Sequence, residues 1–191
     1  MRQILLTRNR RMPTEQNAMR IPLVLLLLPG LTTALADQRC DTSQHPRSAP
    51  TERFTVNGDG TVTDKASGLM WMRCALGQDW NGETCVGNAE DYAWSSTRTA
   101  AAAVNASGEH FFSDWRVPGL RDLAMIVERE CENPRINLTI FPNTAPAFFW
   151  TKSVREEDPQ SQAYALSFGP EGVEPHAKTL SHHLRLVRTA Q

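Results

Sequence analysis

The sequence lacks the short motifs by which the common enzyme classes are recognised. Its 191 residues contain no Gly-x-Ser-x-Gly, no His-Glu-x-x-His, no phosphate-binding P-loop and no dinucleotide-binding glycine pattern. Cysteine is also scarce, and none of the four cysteines forms the Cys-x-x-Cys pair that is typical of zinc sites. These absences predict a protein without enzymatic activity, cofactor or metal, and they favour a binding or interaction module.

Long apolar runs are limited to one, near the N-terminus. Residues 21–36 read IPLVLLLLPGLTTALA, follow Arg20 and end in a small-x-small pattern, which predicts a signal peptide over residues 1–36. The run is shorter than the roughly 20 apolar residues that span a bilayer, and a proline–glycine pair interrupts it, so a permanent anchor is the weaker alternative. Met19 is a candidate for the true start, because the residues before it are long and polar for a signal peptide.

The chain beyond the predicted signal peptide is acidic. Five of the 20 Lys and Arg residues and one of the 21 Asp and Glu residues precede Asp37, which leaves 15 basic and 20 acidic side chains and a net charge of −5. Such a chain has no long-range attraction for nucleic acid or for sulfated polymers, although a local basic patch is still possible. We therefore expect an exported protein of the periplasm or the extracellular space, with no nucleic-acid partner and no stable membrane insertion after signal cleavage.

All four cysteines lie in the part that is predicted to be exported. In an oxidising compartment they favour two disulfides, and three pairings are open. We favour Cys74–Cys85, because it closes a short polar loop and removes about 3 kcal/mol of unfolded-chain entropy. Cys40 would then pair with Cys131 and tie an N-terminal arm, residues 37–52, to the rest of the chain.

The first half of the chain predicts strands followed by helices. Residues 53–64 alternate apolar and polar around an Asn-Gly-Asp-Gly turn, which predicts a β-hairpin, and a strand follows over residues 69–72. Residues 91–105 predict a helix that ends at Gly108, with a stripe of Tyr92, Ser95, Ser96, Thr99 and Ala103. Pro118 opens a second helix, whose predicted buried face is Leu120, Leu123, Ala124, Ile126 and Val127.

The second half predicts an irregular loop and three further strands. The loop covers residues 132–146, and the strands cover residues 148–153, 163–168 and 183–188, separated by polar loops over 155–162 and 169–178. Strands, two helices, a long loop and strands in this order predict an α+β fold with antiparallel pairing.

The turn at Asn57 to Gly60 has the spacing of part of a calcium-binding loop. Asn57 and Asp59 would occupy the third and fifth positions, but Thr55 and Ala66 would stand at the first and twelfth, where oxygen ligands are required. We interpret the stretch as a hairpin turn. Weak calcium capture by Asp59 and Asp64 is the minority alternative.

Histidines, tryptophans and arginines have structural explanations. His182 and His183 are adjacent in a predicted strand and point to opposite faces, so we expect one packed, one exposed and no joint metal chelation. Trp80 is the tryptophan that we expect to be exposed, and the other four are expected in the core: Trp71, Trp94, Trp115 and Trp150. Three arginines are expected to pair with Asp114 or Asp122: Arg116, Arg185 and Arg188.

Several phrases of the sequence carry a resemblance to a known family. In chain order they are NGDGTVTDKASGLMWMRCALGQDWNGETCVG, SDWRVPGLRDLAMIV, CENPRINLTIFPNT, FFWTKS and LRLVR. Together they resemble the Lcl C-terminal domain family, which is named for a collagen-like bacterial adhesin. The resemblance covers residues 53–188, and we place an Lcl C-terminal-like domain over residues 53–190.

The resemblance implies a C-type-lectin-like fold, in which two helices pack on a twisted antiparallel sheet beneath long loops. It also implies an exported bacterial protein, and the adhesin is associated with sulfated-glycan binding and cell aggregation. This chain departs from the adhesin in having no collagen-like repeat and a net charge of −5, so an anionic glycan would need a local basic cluster. The candidates are Arg116, Arg121, Arg129 and Arg135, although Glu128, Glu130 and Glu132 lie among them.

Three functional hypotheses follow. The first is a secreted, non-enzymatic binding module that recognises a glycan or another cell-surface component through its loops, with Asn143, Trp150, Lys152 and Tyr164 as ligand contacts. Each of these residues also has an ordinary packing or turn explanation, which is the favoured one for Trp150 and Tyr164. The second is an envelope accessory or structural protein that acts through protein–protein contacts. The third is an enzyme of the formylglycine-generating class, which would need a cysteine pair late in the chain, whereas no cysteine follows Cys131.

Overall fold

The computed structural model describes residues 38–43, 46–108 and 112–191 of the chain. The predicted signal peptide, Asp37, His45 and His110 lie outside the described residues. Within the described ranges the fold is α+β, with short helices and sheets whose strands pair antiparallel, which confirms the predicted class. No helix in these ranges is long and apolar enough to cross a membrane.

The described strands are β1 (Arg39–Cys40), β2 (Phe54–Val56), β3 (Thr61–Asp64), β4 (Leu69–Met72), β5 (Asp79–Trp80), β6 (Cys85–Val86), β7 (Tyr92–Ala93), β8 (Cys131–Glu132), β9 (Phe148–Val154), β10 (Gln162–Ser167), β11 (Val173–Ala177), β12 (Ser181–His182) and β13 (Val187–Thr189). The described helices are α1 (Thr97–Ser107) and α2 (Leu120–Ala124), with 3₁₀ turns at Thr51–Arg53 and Trp94–Ser96.

A four-stranded sheet in the order β13-β4-β3-β2 contains the predicted hairpin and the strand predicted over residues 69–72. Asp59 holds the hairpin turn, because its Oδ1 accepts hydrogen bonds from the amide and the hydroxyl of Thr61 at 2.9 and 2.6 Å. Gly58 and Gly60 both have a φ of 84°, a left-handed conformation that glycine adopts without steric cost. The hairpin prediction is confirmed.

A three-stranded sheet in the order β11-β10-β9 contains two of the predicted later strands, β9 and β10. The prediction of a polar loop over residues 169–178 is wrong for β11, which pairs with β10 over five residues. Its sequence, VEPHA, contains only one residue of high strand propensity, Val173, and includes Pro175. Proline suits an edge strand, and β11 forms the edge of this sheet.

Helix α1 ends where predicted and begins later than predicted. Gly108 terminates it in the left-handed conformation, with a φ of 73°. At the other end, β7 and a 3₁₀ turn occupy residues 92–96, and the buried residues of the helix are Thr97 and Ala101 rather than the predicted stripe. The alanine run favours a helix, but it has no alternation of apolar and polar residues that would mark one side as buried. The predicted stripe is therefore not the buried face of the helix.

Helix α2 is shorter than predicted, with five residues that begin after Gly119. Leu123 and Ile126 are fully buried, as predicted. Ala124, in contrast, is exposed, because the helix ends there and the chain turns away from the expected face.

The strand predicted over residues 183–188 forms only at its C-terminal end, in β13, and the prediction is wrong for residues 184–186; β12 lies before the predicted range. β12 pairs with β7, and β13 pairs with β4. Between them lies Arg185, which is fully buried and donates hydrogen bonds to the main-chain oxygens of Met72 and Arg73 and to Thr144 Oγ1. The expected carboxylate partner of Arg185 is therefore replaced by main-chain and hydroxyl oxygens.

The other two arginine predictions are confirmed. Arg188 pairs with Asp114 at 2.6 Å, and Arg116 pairs with Asp122 at 2.7 Å. Arg188 is buried, whereas its partner is mostly exposed, so this pair closes the surface over the guanidinium.

Three of the five tryptophans are buried in the core, and two are half-buried. Trp71, Trp115 and Trp150 are buried, as expected, while Trp94 is half-buried. Trp80 is half-buried as well, which contradicts the expected exposure. The guanidinium of Arg73 lies 4.2 Å from the centre of its ring system and covers it.

The adjacent histidines are both half-buried, so the prediction of one packed and one exposed side chain is wrong. They do have different neighbours. His182 lies against Trp150, with ring centroids 4.5 Å apart, and His183 pairs with Asp91 at 2.9 Å.

Two disulfides link Cys40 to Cys131 and Cys74 to Cys85, which is the favoured pairing. The first joins β1 to β8 and thus ties the N-terminal arm down. The second closes the loop that contains β5 and β6.

Candidate ligand-binding groove

A groove of about 510 Å³ lies between the start of α2 and strand β9. Three basic side chains and one aromatic side chain that line it are Arg116, Arg121, Lys152 and Tyr164. Glu156 and Glu157, in the turn after β9, also line it. The groove thus brings together two of the four residues predicted to contact a ligand, Lys152 and Tyr164.

Hydrogen bonds hold the walls of the groove in place. The main-chain N–H of Lys152 donates to the oxygen of Pro118 at 2.8 Å, and the N–H of Leu120 donates to Ser153 Oγ at 3.1 Å. These contacts join β9 directly to the segment that starts α2. The adjacent segment is fixed to β13, because Arg116 and Val187 exchange main-chain hydrogen bonds at 2.9 and 3.0 Å.

Asp122 neutralises one of the cations in the groove. Its Oδ2 accepts hydrogen bonds from Arg116 and from the N–H of Gly119 at 2.7 and 2.9 Å. Burial alone would raise the pKa of the Asp122 carboxyl. The hydrogen bonds, together with the charges of Arg116 and Lys152, outweigh burial and hold this pKa below its usual value. Asp122 is therefore an ionised, fully engaged structural partner of Arg116.

Lys152 and Arg121 form no ion pair with any carboxylate of the described residues. No carboxylate in the described part of the chain lies within 4.0 Å of either side-chain cation, and the same holds for Arg98. Arg98 lines an adjoining cavity of about 250 Å³ that shares Arg116 and Lys152 with the groove. The result is a continuous surface with at least three available positive charges, which can bind an anionic group.

The acidic side chains of the groove compensate this charge only in part. Glu157 is committed to Arg155, at 3.1 Å, and Asp122 is committed to Arg116. Glu156 is exposed at the far end. Tyr164 contributes a half-buried aromatic ring, a surface of the kind on which an apolar face of a ligand can stack.

The other two predicted contacts lie elsewhere. Trp150 is fully buried and donates from its indole nitrogen to the oxygen of Tyr92 at 2.7 Å, so it belongs to the core and we withdraw it from the ligand contacts. Asn143 is exposed and donates to the oxygen of Cys85 at 3.1 Å. It therefore supports the disulfide-closed loop and does not line the groove.

The basic residues that were suggested as an anion-binding cluster do not all line the groove. Arg116 and Arg121 line the groove, whereas Arg129 lines an adjoining depression that shares only Arg121 with it. Two of the neighbouring acidic residues are buried: Glu128 accepts hydrogen bonds from the arm, and Glu130 pairs with Arg47. These carboxylates hold the N-terminal arm and are not available to neutralise the groove.

A second cavity, of about 650 Å³, lies between the disulfide-closed loop, the hairpin turn and α1. It is acidic and aromatic, and its lining includes Asp59, Asp79, Trp80, Glu90 and Tyr92. Burial, and then the hydrogen bond to Glu90, raise the pKa of Tyr92 to about 12. This cavity was not predicted from the sequence, because its residues are far apart in the chain and no motif connects them.

The calcium alternative has little support in the geometry. Asp64 is fully buried, and its oxygens accept hydrogen bonds from Arg53, Ser67 and the N–H of Ala66. Asp59 is engaged by Thr61. In the described ranges, no group of three or more His, Cys, Asp or Glu side chains is arranged to hold a metal ion.

The described residues form a disulfide-bonded α+β domain that carries a basic groove and an acidic cavity on its surface. Residues 60–188 match the family model of the Lcl C-terminal domain. This match covers more than half of the chain, and the chain therefore belongs to the Lcl C-terminal domain family. No curated protein matches it. Membership of this family is consistent with an adhesin-like, non-enzymatic module.

Proposed function

We propose that this protein is a non-enzymatic binding module that recognises a glycan or another cell-surface component through the groove of Arg116, Arg121, Lys152 and Tyr164. The observation that carries the proposal is the pair of uncompensated cations, Lys152 and Arg121, beside a half-buried aromatic ring. An acidic sugar would place its carboxylate or sulfate on the cations and a face of its ring on Tyr164.

The proposed setting is the periplasm or the extracellular space, and the proposed architecture is C-type-lectin-like. Two disulfides fit an oxidising compartment. The helices beside antiparallel sheets, with long connecting segments, fit the lectin-like expectation at the level of fold class. No nucleic-acid partner is proposed, because the charge of the chain beyond residue 36 is negative.

A glycan array tests the proposal. We expect binding to carboxylated or sulfated glycans that weakens as NaCl rises from about 0.05 to 0.5 M, because salt screens exposed charges. Lys152→Ala and Arg121→Ala should each reduce affinity about 5- to 30-fold, corresponding to about 1 to 2 kcal/mol per charge-assisted contact.

Lys65→Ala is the matched control, because Lys65 is exposed in the turn between β3 and β4 and does not line the groove. It should leave glycan binding unchanged. Equal losses for Lys65→Ala and Lys152→Ala would show non-specific charge attraction and would contradict a dedicated groove.

The second candidate is an envelope accessory protein that binds another protein. The acidic cavity around Asp79, Trp80 and Glu90 favours it, since a basic partner would complement these carboxylates. A blank glycan array, together with a protein that co-purifies with the wild type and is lost in Glu90→Gln, would support this candidate. An enzyme of the formylglycine-generating class has less support, because all four cysteines are in disulfides and leave no thiol.

A further inference from the structure

Two histidines from different strands face each other outside the groove. His176 lies in β11 and His182 in β12, and Nδ1 of His176 is 2.6 Å from Nε2 of His182. Two ring nitrogens at this distance need a proton between them, so one ring donates and the other accepts. Each ring thus directs a nitrogen at the same point in space.

A neighbouring carboxylate determines which nitrogen of His176 carries the proton. Glu174 Oε2 lies 3.2 Å from Nε2 of His176. A carboxylate only accepts hydrogen bonds, so His176 is protonated on Nε2 and its Nδ1 lone pair faces His182. In metal sites, a ligating histidine commonly donates its second N–H to a carboxylate, which fixes the ring and raises its basicity. His176 has this arrangement.

His182 is held in place by aromatic rings. It packs against the rings of Trp150 and Phe148, with centroid distances of 4.5 and 5.4 Å. These contacts fix the orientation of the imidazole, so its Nε2 stays directed at His176.

We propose that His176 and His182 together bind a divalent transition-metal ion through Nδ1 of His176 and Nε2 of His182. The proton that the two rings share moves to Nδ1 of His182, so both ligands stay neutral. The expected ions are those that favour nitrogen ligands, Cu²⁺, Ni²⁺ and Zn²⁺, and not Ca²⁺ or Mg²⁺. Only these two side chains ligate, in keeping with the lack of a three-residue metal cluster in the described ranges. Water or a donor from a bound partner completes the coordination. This site is independent of the proposed glycan groove.

The required movement is small. Nitrogens that each lie about 2.0 to 2.1 Å from a tetrahedral metal are separated by about 3.3 Å, so the rings must move apart by about 0.7 Å. His176 can supply this shift, because β11 is an edge strand that pairs only with β10 in its sheet.

Isothermal titration of the purified full-length, disulfide-bonded chain with CuCl₂, NiCl₂ and ZnCl₂ tests the site. We expect one saturable binding event per chain, tightest for Cu²⁺, and none with CaCl₂ or MgCl₂. His176→Asn and His182→Asn should abolish it. His183→Asn is the matched control, because His183 is adjacent in sequence but pairs with Asp91, and it should retain binding. Every variant keeps His45 and His110, so their contribution is constant.

Glu174→Gln provides a test that leaves both ligands in place, in case His182→Asn unfolds the protein. Loss of the carboxylate should weaken binding about tenfold, with an unchanged circular dichroism spectrum. No saturable uptake by the wild type at metal concentrations up to about 100 μM would overturn the proposal. Equal uptake by the wild type and His176→Asn would overturn it as well. Neither result bears on the glycan array, so the two proposals fail separately.

Discussion

The buried arginines show how single charged residues are accommodated in this chain. Arg188 is buried and pairs with Asp114, and the half-buried Arg53 pairs with the buried Asp64. Arg185 has none in the described ranges; it relies on main-chain oxygens and on the rings of Phe141 and Phe149, which lie 5.0 and 5.9 Å away. Burial lowers the pKa of Arg185 to about 9, so the side chain is still charged at neutral pH. Its cation is stabilised by dipoles and aromatic faces.

Gly60 is a residue at which a single methyl group should be costly. A Cβ at this position would lie 2.9 Å from Trp80 Cγ, and the φ of 84° is unfavourable for alanine. Gly60→Ala should therefore destabilise the protein by about 2 to 4 kcal/mol, the sum of backbone strain and overpacking. Urea unfolding measures the difference.

Gly58 supplies the control for that experiment. It has the same φ of 84°, but a Cβ there would meet no atom within 4 Å. Gly58→Ala should cost only the backbone strain, about 1 to 2 kcal/mol. If the two substitutions cost the same, the close packing of Trp80 on the hairpin turn would be refuted.

At the scale of elements, the two disulfides should differ in their contribution to stability. Cys40–Cys131 spans 91 residues and Cys74–Cys85 spans 11. Loop-closure entropy predicts about 4.6 kcal/mol for the first and about 2.8 kcal/mol for the second. The double variants Cys40→Ser/Cys131→Ser and Cys74→Ser/Cys85→Ser should therefore unfold at different urea concentrations, the former lower.

Trp80 fluorescence adds a local readout to the disulfide experiment. Trp80 lies in β5, inside the loop that Cys74–Cys85 closes, so loss of that bond should change its emission in the native state. Loss of Cys40–Cys131 should leave the emission unchanged. Equal stability losses in the two double variants would contradict the entropic explanation.

Strands and turns were predicted correctly where the local sequence marks them clearly. The hairpin at Asn57 to Gly60 and strands β4, β9 and β10 were predicted well, since turn residues and apolar runs mark them directly. β11 and β12 were missed or misplaced, because their partners β10 and β7 are supplied by the tertiary fold. The buried face of α1 could not be read from a run of alanines, which has no contrast between its faces.

The groove was predictable only in part for a similar reason. Lys152 and Tyr164 were selected from strand positions, and adjacent antiparallel strands bring them together. Arg116 and Arg121 were named as candidates for a basic cluster. Arg98 was not, because its position depends on how α1 packs, which the sequence does not give. Trp150 was expected in the core, and its burial confirms this. Its alternative assignment as a ligand contact was wrong, because a sequence does not distinguish an aromatic residue that packs from one that binds a ligand.

For the molecule as a whole, paired carboxylates should determine acid stability. The pKa of Asp64 lies below its usual value of 3.8, because the hydrogen bonds and charge of Arg53, with Ser67 and the Ala66 amide, outweigh burial, which alone would raise it. Asp114 and Asp122 are lowered as well, beside Arg188 and Arg116. A carboxyl whose pKa is lower in the folded state stabilises the fold above the unfolded value and loses this contribution as the pH falls through the folded value.

Stability should therefore be maintained down to about pH 4 and fall below it. Asp64→Asn should be less stable at pH 7 by about 3 kcal/mol, because Arg53 loses its buried partner, and the deficit should shrink toward pH 2. Urea unfolding between pH 2 and 7 measures this convergence. Asp79→Asn, at an exposed position, should run parallel to the wild type; a constant deficit for Asp64→Asn would exclude the ion pair as the cause.

The hydrogen bonds from Lys152 to Pro118 and from Leu120 to Ser153 have a kinetic consequence. They set the width of the basic groove before any ligand arrives, so little conformational reorganisation accompanies capture. Association would then be limited by diffusion and electrostatic steering, and its observed rate would rise linearly with ligand concentration. Differences in affinity among ligands would lie mainly in how long each one stays bound.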